Sequence, residues 1–92
     1  MLIESGYVYI LQSERNRIYY IGSTKDIRKR FEQHQMGKVK YTRNLKPLVL
    51  KFFQKYDSLK KARQIEYRLK KLKRKDIIEK IIEEKLIKIT GV

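Results

Sequence analysis

Two short runs of sequence organise this chain: Tyr-Val-Tyr at residues 7–9 and Tyr-Ile-Gly at residues 20–22. Both are rich in β-branched and aromatic side chains and are too short to show a helical period, which is typical of strands. The polar residues 13–16 between them are typical of a turn. A four-residue turn predicts an antiparallel hairpin in which Tyr9 lies opposite Tyr20, with both phenols on one face. A three- or five-residue turn would change this pairing.

A helix is predicted directly after the second run. Ser23 and Asp26 are spaced as in a capping box, and the helix that they open is expected to reach about residue 35 and to stop before Gly37. Its i, i+3, i+4, i+7 stripe combines two apolar and two polar side chains: Ile27, Phe31, Arg30 and His34. Polar groups therefore border the side of this helix that faces the core.

The rest of the chain predicts a loop, a strand and two helices, which gives the element order ββαβαα. Residues 37–47 carry four Lys or Arg without a sustained period and predict a basic loop, whereas residues 48–56 predict a third strand. Asp57 or Ser58 is expected to cap a second helix with apolar positions at helical spacing: Leu59, Ala62, Ile65, Leu69 and Leu72. A third helix is predicted over about residues 76–86. It is expected to join the second by only a kink, because residues 73–75 include no turn-forming residue, and a frayed tail is expected after residue 87.

Glu66 falls inside the apolar stripe of the second helix. Residues 60–75 contain nine Lys or Arg and no other acid. A carboxylate on an apolar helix face costs free energy unless it meets a cation, a donor or a metal. An ion pair with Arg63 or Lys70 is one interpretation and a functional carboxylate is the other. Arg30 has the same two interpretations, because Asp26 lies one turn before it.

The composition limits the class of protein. A chain of 92 residues makes one domain, which buries about 60% of its unfolded surface. Its 24 Lys and Arg against 10 Asp and Glu give a net charge of +14, which favours a polyanionic partner, nucleic acid first. No apolar run approaches the roughly 20 residues that span a bilayer, and no signal pattern opens the chain, so a cytoplasmic protein without a membrane partner is expected.

The chain has no cysteine and one histidine. A disulfide framework, a cysteine zinc site and a multi-histidine metal cage are therefore excluded. Any metal would be held by carboxylate and water, which favours Mg²⁺ or Mn²⁺ over zinc.

Taken together, the two tyrosine runs, Arg30, His34 and Glu66 resemble, in order and spacing, the GIY-YIG nuclease superfamily. The resemblance is greatest to its small stand-alone bacterial members, through the Tyr-Val-Tyr-Ile-Leu opening and the Gly-Lys-x-Lys-Tyr-Thr-Arg stretch at residues 37–43. It covers about residues 6–82, nearly the whole chain.

The resemblance implies an α+β fold: a three-stranded antiparallel sheet flanked by about three helices. It implies one domain over residues 1–92, with a core at about 6–82 and a C-terminal helix and tail at 76–92. It also implies roles for five residues: Tyr9 and Tyr20 near the attacking water, Arg30 and His34 at the scissile phosphate, and Glu66 as ligand of a single Mg²⁺ or Mn²⁺ ion.

The expected function is a metal-dependent endonuclease that hydrolyses DNA with little sequence preference and needs no small-molecule cofactor. Tyr9 would be the general base, which requires nearby positive charge to lower its pKa from about 10. Six side chains are expected to contact the nucleic acid: Lys25, Lys38, Lys40, Tyr41, Arg43 and Lys46.

Two alternatives remain. Many relatives carry an asparagine about a dozen residues after the glutamate, where this chain has Ile78. This favours a catalytically weak or inactive basic nucleic-acid-binding module of the same fold. The other alternative is an unrelated RNA-binding protein that uses Tyr41, Tyr56 and Tyr67 as stacking platforms, but the fixed order of the motif residues argues against it.

Overall fold

The computed structural model describes residues 4–88, and its helices and strands follow the predicted order. The strands are β1 (Gly6–Ser13), β2 (Tyr19–Thr24) and β3 (Leu48–Tyr56), and the helices are α1 (Ile27–Gln35), α2 (Leu59–Leu72) and α3 (Lys75–Glu84). A short 3₁₀ turn, Arg43–Leu45, lies in the basic loop. The strands form one antiparallel sheet in the order β2-β1-β3. The predicted α+β fold is confirmed.

The central strand, β1, is buried on both faces of the sheet. On one face Val8 and Ile10 pack with the buried residues of α2 and α3. On the other face Tyr9 and Leu11 form a second cluster, against which Phe31 of α1 packs. Since helices or side chains cover both faces of β1, the accessible surface on which a site could form lies along the edge of the sheet at β2.

The hairpin register differs by two residues from the predicted one. Tyr9 lies opposite Gly22, not opposite Tyr20. The link between β1 and β2 has five residues, 14–18, because Ile18 belongs to the turn. Arg17 closes that turn with a φ of 67°, in the left-handed region. A shift of two residues preserves the alternation of faces, so both tyrosines still lie on the α1 side.

The predicted capping box of α1 is wrong. Asp26 is the N-cap, and its carboxylate accepts the Lys29 backbone N–H at 3.0 Å. Ser23 is still part of β2, because strand pairing with β1 continues through Thr24. Its hydroxyl donates to the carboxylate of Glu66. A residue expected to cap a helix therefore belongs to the candidate site.

The second half of the chain confirms the predicted N-cap of α2 and corrects the predicted junction between α2 and α3. Ser58 caps α2 by accepting the Lys61 N–H at 3.1 Å. α2 and α3 do not join by a simple kink, because Lys73 takes a left-handed φ of 52° and Arg74 is the extended N-cap of α3. α3 covers residues 75–84 and not 76–86. Of the predicted frayed tail, residues 89–92 lie outside the described residues.

Within residues 4–88, no helix has the length and apolar character needed to cross a membrane.

The buried face of α2 gives a stability prediction. Leu69→Ala is expected to lower the free energy of unfolding by about 2–5 kcal/mol, because this side chain is only 2% exposed in the core. Leu72→Ala on the same helix, where the side chain is 44% exposed, is expected to cost less than about 1 kcal/mol. Urea denaturation followed by circular dichroism measures both. Equal losses would contradict this orientation of α2.

Candidate active site

Tyr9 lies at the centre of the candidate site because its ring packs on a glycine. A Cβ atom on Gly22, its partner across the hairpin, would collide with the hydroxyl and ring of Tyr9. Because Gly22 has no side chain, the phenol can lie across β2 at this position. Its hydroxyl lies 2.9 Å from Nε2 of His34. Since only 1% of Tyr9 is exposed, a substrate meets this hydroxyl only after neighbouring side chains move.

Three rings form the aromatic wall of the site. The ring centroid of Tyr20 lies 6.4 Å from that of Tyr9 and 5.2 Å from that of His34. The His34 ring meets Tyr9 edge-on at 5.6 Å. Tyr20, which is half-buried on the edge strand, is the member of the group with open access to solvent.

His34 is fully buried and both of its ring nitrogens have partners inside the protein. Nε2 meets Tyr9, and Nδ1 lies 2.7 Å from the hydroxyl of Thr42. Burial, and after it the charge of Arg30, lowers the pKa of His34 to about 4. The ring is therefore neutral near pH 7, with one donor and one acceptor nitrogen. Either Tyr9 donates to Nε2, or Thr42 donates to Nδ1 and Nε2–H points at Tyr9.

This position does not fit the expected contact between His34 and a phosphate. With 0% exposure, His34 instead contacts the hydroxyls of Tyr9 and Thr42 inside the protein. Thr42, equally buried, was not predicted as a site residue. The signal that contains it is the Gly-Lys-x-Lys-Tyr-Thr-Arg stretch, in which the lysines and tyrosine at 38, 40 and 41 are exposed and the threonine points inward.

Burial also makes the phenol of Tyr9 harder to deprotonate, which does not favour its use as a general base. It raises the pKa of Tyr9 to about 12, the opposite of the lowering that a general base requires, and nearby Tyr20 and Glu66 act in the same direction. Arg30 opposes this shift through a hydrogen bond and its charge. In this state of the protein Tyr9 is a neutral phenol.

Arg30 connects the buried ring cluster to an open cleft. Its Nη1 donates to Oε1 of Gln33 at 3.0 Å. The cleft, about 520 Å³ in volume, is lined by more cationic than acidic side chains: Arg30, Lys25, Lys29 and Arg63 against Glu4 and Asp26. No ion pair joins Arg30 to Asp26 within residues 4–88, so the simpler interpretation of this arginine does not hold.

Glu66 reaches the same edge from the other face of the sheet. Its side chain is 19% exposed, with Oε2 lying 2.6 Å from Nζ of Lys70. Oε1 accepts the hydroxyl of Ser23. The ion pair predicted as one interpretation is therefore present, with Lys70 and not Arg63. Lys70 Nζ also lies 5.5 Å from the ring centroid of Tyr20, so the acidic and aromatic parts of the site meet around β2.

The donor set limits which metal fits here. In the described part of the chain, no group of three or more His, Cys, Asp or Glu side chains converges. A lone carboxylate with a neighbouring hydroxyl does not fit zinc, which takes three or four protein ligands. It fits Mg²⁺ or Mn²⁺, which bind through one or two carboxylates and keep several waters.

Comparisons with known proteins show the family to which this chain belongs. The family model for the GIY-YIG catalytic domain matches residues 5–81, most of the chain. This protein belongs to the GIY-YIG family. The resemblance inferred from the sequence is thus confirmed, and it is a resemblance to a family of nucleases.

The relatives of this GIY-YIG protein include several bacterial UPF0213 proteins. That of Bacillus velezensis is 40% identical over 86 residues, which cover 92% of this chain and 85% of the relative. UPF0213 protein YazA of Bacillus subtilis is 39% identical, with the same coverage of 92% and 85%. A Vibrio parahaemolyticus UPF0213 protein is 40% identical over 76 residues, which cover 78% of this chain and 71% of the relative. No solved structure gives a significant match.

Other expected positions of this GIY-YIG domain lie outside the ring cluster. Ile78, where many relatives have an asparagine, is 5% exposed and belongs to the core cluster that α3 forms with β1 and α2. The six residues expected to contact nucleic acid are all exposed: Lys25, Lys38, Lys40, Tyr41, Arg43 and Lys46. Of these, Lys25 lines the cleft with Arg30.

His34 makes the stability of the protein depend on pH. Its pKa of about 4 lies below the ordinary 6.5, so the unfolded chain binds more protons between these pH values. Its contribution to stability is therefore complete above about pH 6.5 and is lost as the pH falls towards 4, by up to about 1.4 kcal/mol per pH unit. Urea denaturation at several pH values should give a steeper acid loss for wild type than for His34→Gln.

The same titration has a direct readout. Because His34 is the only histidine in the chain, its ring C–H resonances are identified in proton NMR without assignment. A titration midpoint near 6.5 in the folded protein would contradict its neutral, buried state.

Proposed function

We propose that this protein is a metal-dependent endonuclease that hydrolyses DNA phosphodiester bonds with little sequence preference. The observation that carries the proposal is the meeting of three chemically different groups at β2: the buried Tyr9–His34 pair, Arg30 at a cationic cleft, and the carboxylate of Glu66. The family membership supports a nuclease. The choice of DNA, of the metal and of residue roles is our inference.

Arg30 is proposed to bind the scissile phosphate. A guanidinium is planar, stays charged at all relevant pH values and offers paired donors to phosphate oxygens. The extra negative charge that develops during phosphodiester hydrolysis is best stabilised by a cation already fixed in place. Arg30 fulfils this condition, because its hydrogen bond to Gln33 restrains it within the cleft. Lys25 and Lys29 would contact adjoining phosphates.

Tyr9 is proposed as the general base, with His34 as the residue that orients it and Tyr20 as the residue that positions the water. The neutral Nε2 of His34 can accept the phenol proton as the oxygen of Tyr9 takes a proton from water. Arg30 is one cause of the low pKa of His34. A phosphate bound to Arg30 offsets that charge, so the substrate itself makes the imidazole more basic.

Glu66 is proposed to hold a single Mg²⁺ or Mn²⁺ ion together with water, next to the hydroxyl of Ser23. When bound, such an ion supplies positive charge that polarises a phosphate oxygen and lowers the pKa of a bound water.

A second candidate function is a basic nucleic-acid-binding module without cleavage. Two observations favour it: Ile78 is part of the core, and the hydroxyl of Tyr9 is closed off from solvent. Both functions require nucleic-acid binding, and only the first requires Glu66 and Arg30 for turnover.

The deciding experiment is nicking of supercoiled plasmid with Mg²⁺ or Mn²⁺. Arg30→Ala is expected to lower the rate by about 10²–10³, as for the loss of a fixed electrostatic group in other enzymes, and Glu66→Gln is expected to fall to background. Glu32→Gln, which changes an exposed carboxylate on α1, is the matched control and should keep wild-type activity. Circular dichroism verifies the fold of each variant.

Equal residual nicking by wild type, Arg30→Ala and Glu66→Gln would identify a contaminant and overturn the nuclease proposal. If none of the preparations nicks DNA but wild type binds it, the binding module is correct.

Binding by the basic loop gives a separate prediction. Each neutralised phosphate contributes about −0.9 to the slope of log affinity against log salt on duplex DNA. Replacing both Lys38 and Lys40 by glutamine is expected to make that slope less steep by about 2. Fluorescence anisotropy at several salt concentrations measures it. The control replaces Lys80 and Lys85, which lie on or directly after α3 on the opposite side of the sheet, and an equal change there would contradict the assignment.

A further inference from the structure

Both oxygens of the Glu66 carboxylate are already engaged. Oε1 accepts the hydroxyl of Ser23, and Oε2 lies 2.6 Å from the ammonium of Lys70 one helical turn later. With the side chain only 19% exposed, solvent has limited access to the remaining lone pairs. A divalent cation therefore cannot be coordinated by both oxygens of this carboxylate until Ser23 or Lys70 leaves.

Lys70 is the partner that is free to leave. Its side chain is 49% exposed and carries the charge on a flexible four-carbon stem, whereas Ser23 is fixed in a strand. Its ammonium already lies 5.5 Å from the ring centroid of Tyr20, within the range of a cation–π contact. The ring of Tyr20 therefore offers the ammonium of Lys70 an alternative partner, on the side where the substrate would lie.

The charge around Lys70 makes its departure depend on what else is bound. Between Glu66 and Asp76 the chain carries six cationic residues and no acid: Arg68, Lys70, Lys71, Lys73, Arg74 and Lys75. This field opposes the entry of a divalent cation and leaves a resident ammonium as the natural partner of Glu66. A polyanion on the same surface would favour the divalent cation over Lys70 as the partner of Glu66, because phosphates attract the lysine and lower the local positive potential.

We propose that Lys70 is an exchangeable counter-ion that controls access of the divalent metal to Glu66. In the free protein it occupies Oε2 and weakens metal binding, and when nucleic acid binds, its ammonium transfers to a phosphate beside Tyr20 and opens the carboxylate. Lys70 is thus a positioning residue, and metal and nucleic acid bind with positive coupling, each raising the affinity for the other. The inference rests on the proposed role of Glu66 as the metal ligand.

The test measures Mn²⁺ affinity by titration calorimetry in the absence of nucleic acid. Lys70→Met removes the charge and keeps the length of the stem, and it is expected to bind Mn²⁺ about tenfold more tightly than wild type, because a competing ion pair and a repelling charge are both lost. Lys71→Met is the matched control. It makes the same change of charge on the neighbouring, exposed residue and should stay within about twofold of wild type.

Two further variants complete the design. Lys70→Arg keeps a cation at the carboxylate and should bind Mn²⁺ as weakly as wild type. The double variant Glu66→Gln/Lys70→Met should lose the gain completely. Two results would overturn the proposal: tighter binding that persists in the double variant, and equal affinities for Lys70→Met and Lys71→Met. The proposal would also be overturned if wild type and all the single variants bound Mn²⁺ no more tightly than the double variant does.

Failure of this inference differs from failure of the nuclease proposal. If wild type nicks plasmid through Glu66 but Lys70→Met gains no affinity, the nuclease stands and the counter-ion role is rejected. If Lys70→Met gains affinity but no variant nicks DNA, the metal site and its control by Lys70 stand and the hydrolysis is rejected.

Discussion

The packing of the Tyr9 ring on Gly22 is the contact on which the rest of the site depends. The register of β1 and β2 places these two residues opposite each other, and only a residue without Cβ leaves room for the phenol to lie across the edge strand. That path brings the hydroxyl to His34 and places Tyr20 beside both rings. The fold and the chemistry are thus joined at one pair of residues, because a different register would leave the phenol without its hydrogen-bond partner.

The site divides into a neutral interior and a charged edge. In the interior, burial raises the pKa of Tyr9 and lowers that of His34, and both shifts favour the uncharged forms. At the edge lie the ionisable side chains of Arg30, Glu66 and Lys70, each of which retains contact with solvent. This separation follows from the cost of burying charge. In the proposed function, a phosphodiester would meet the charged side chains at the edge, and the proton-transfer groups would lie behind them.

The sequence predicted the parts of the structure that depend on local pattern. Periodicity and strand composition were enough for the element order, for β3 and for the shared face of Tyr9 and Tyr20, and the spacing from Glu66 to Lys70 indicated their ion pair as one alternative. The errors occurred where a distant contact overrides a local signal. Ser23 fits a capping box, yet pairing with β1 keeps it in the strand. The hairpin register and the break before α3 depend on left-handed Arg17 and Lys73, residue types that give no such signal. The link from His34 to Thr42 arises only in three dimensions.

The high positive charge gives the two parts of the site a common control. In the free protein burial, and after it the charge of Arg30, lowers the pKa of His34, and the ammonium of Lys70 occupies one oxygen of Glu66. The imidazole is therefore a weak proton acceptor, and the carboxylate is already engaged. In the proposals above, a bound polyanion would change both through the same potential, because it would make imidazole protonation easier and would draw Lys70 from the carboxylate. In the proposed function, the substrate would therefore complete the site that acts on it. The net charge of +14 is then part of the mechanism as well as the source of affinity.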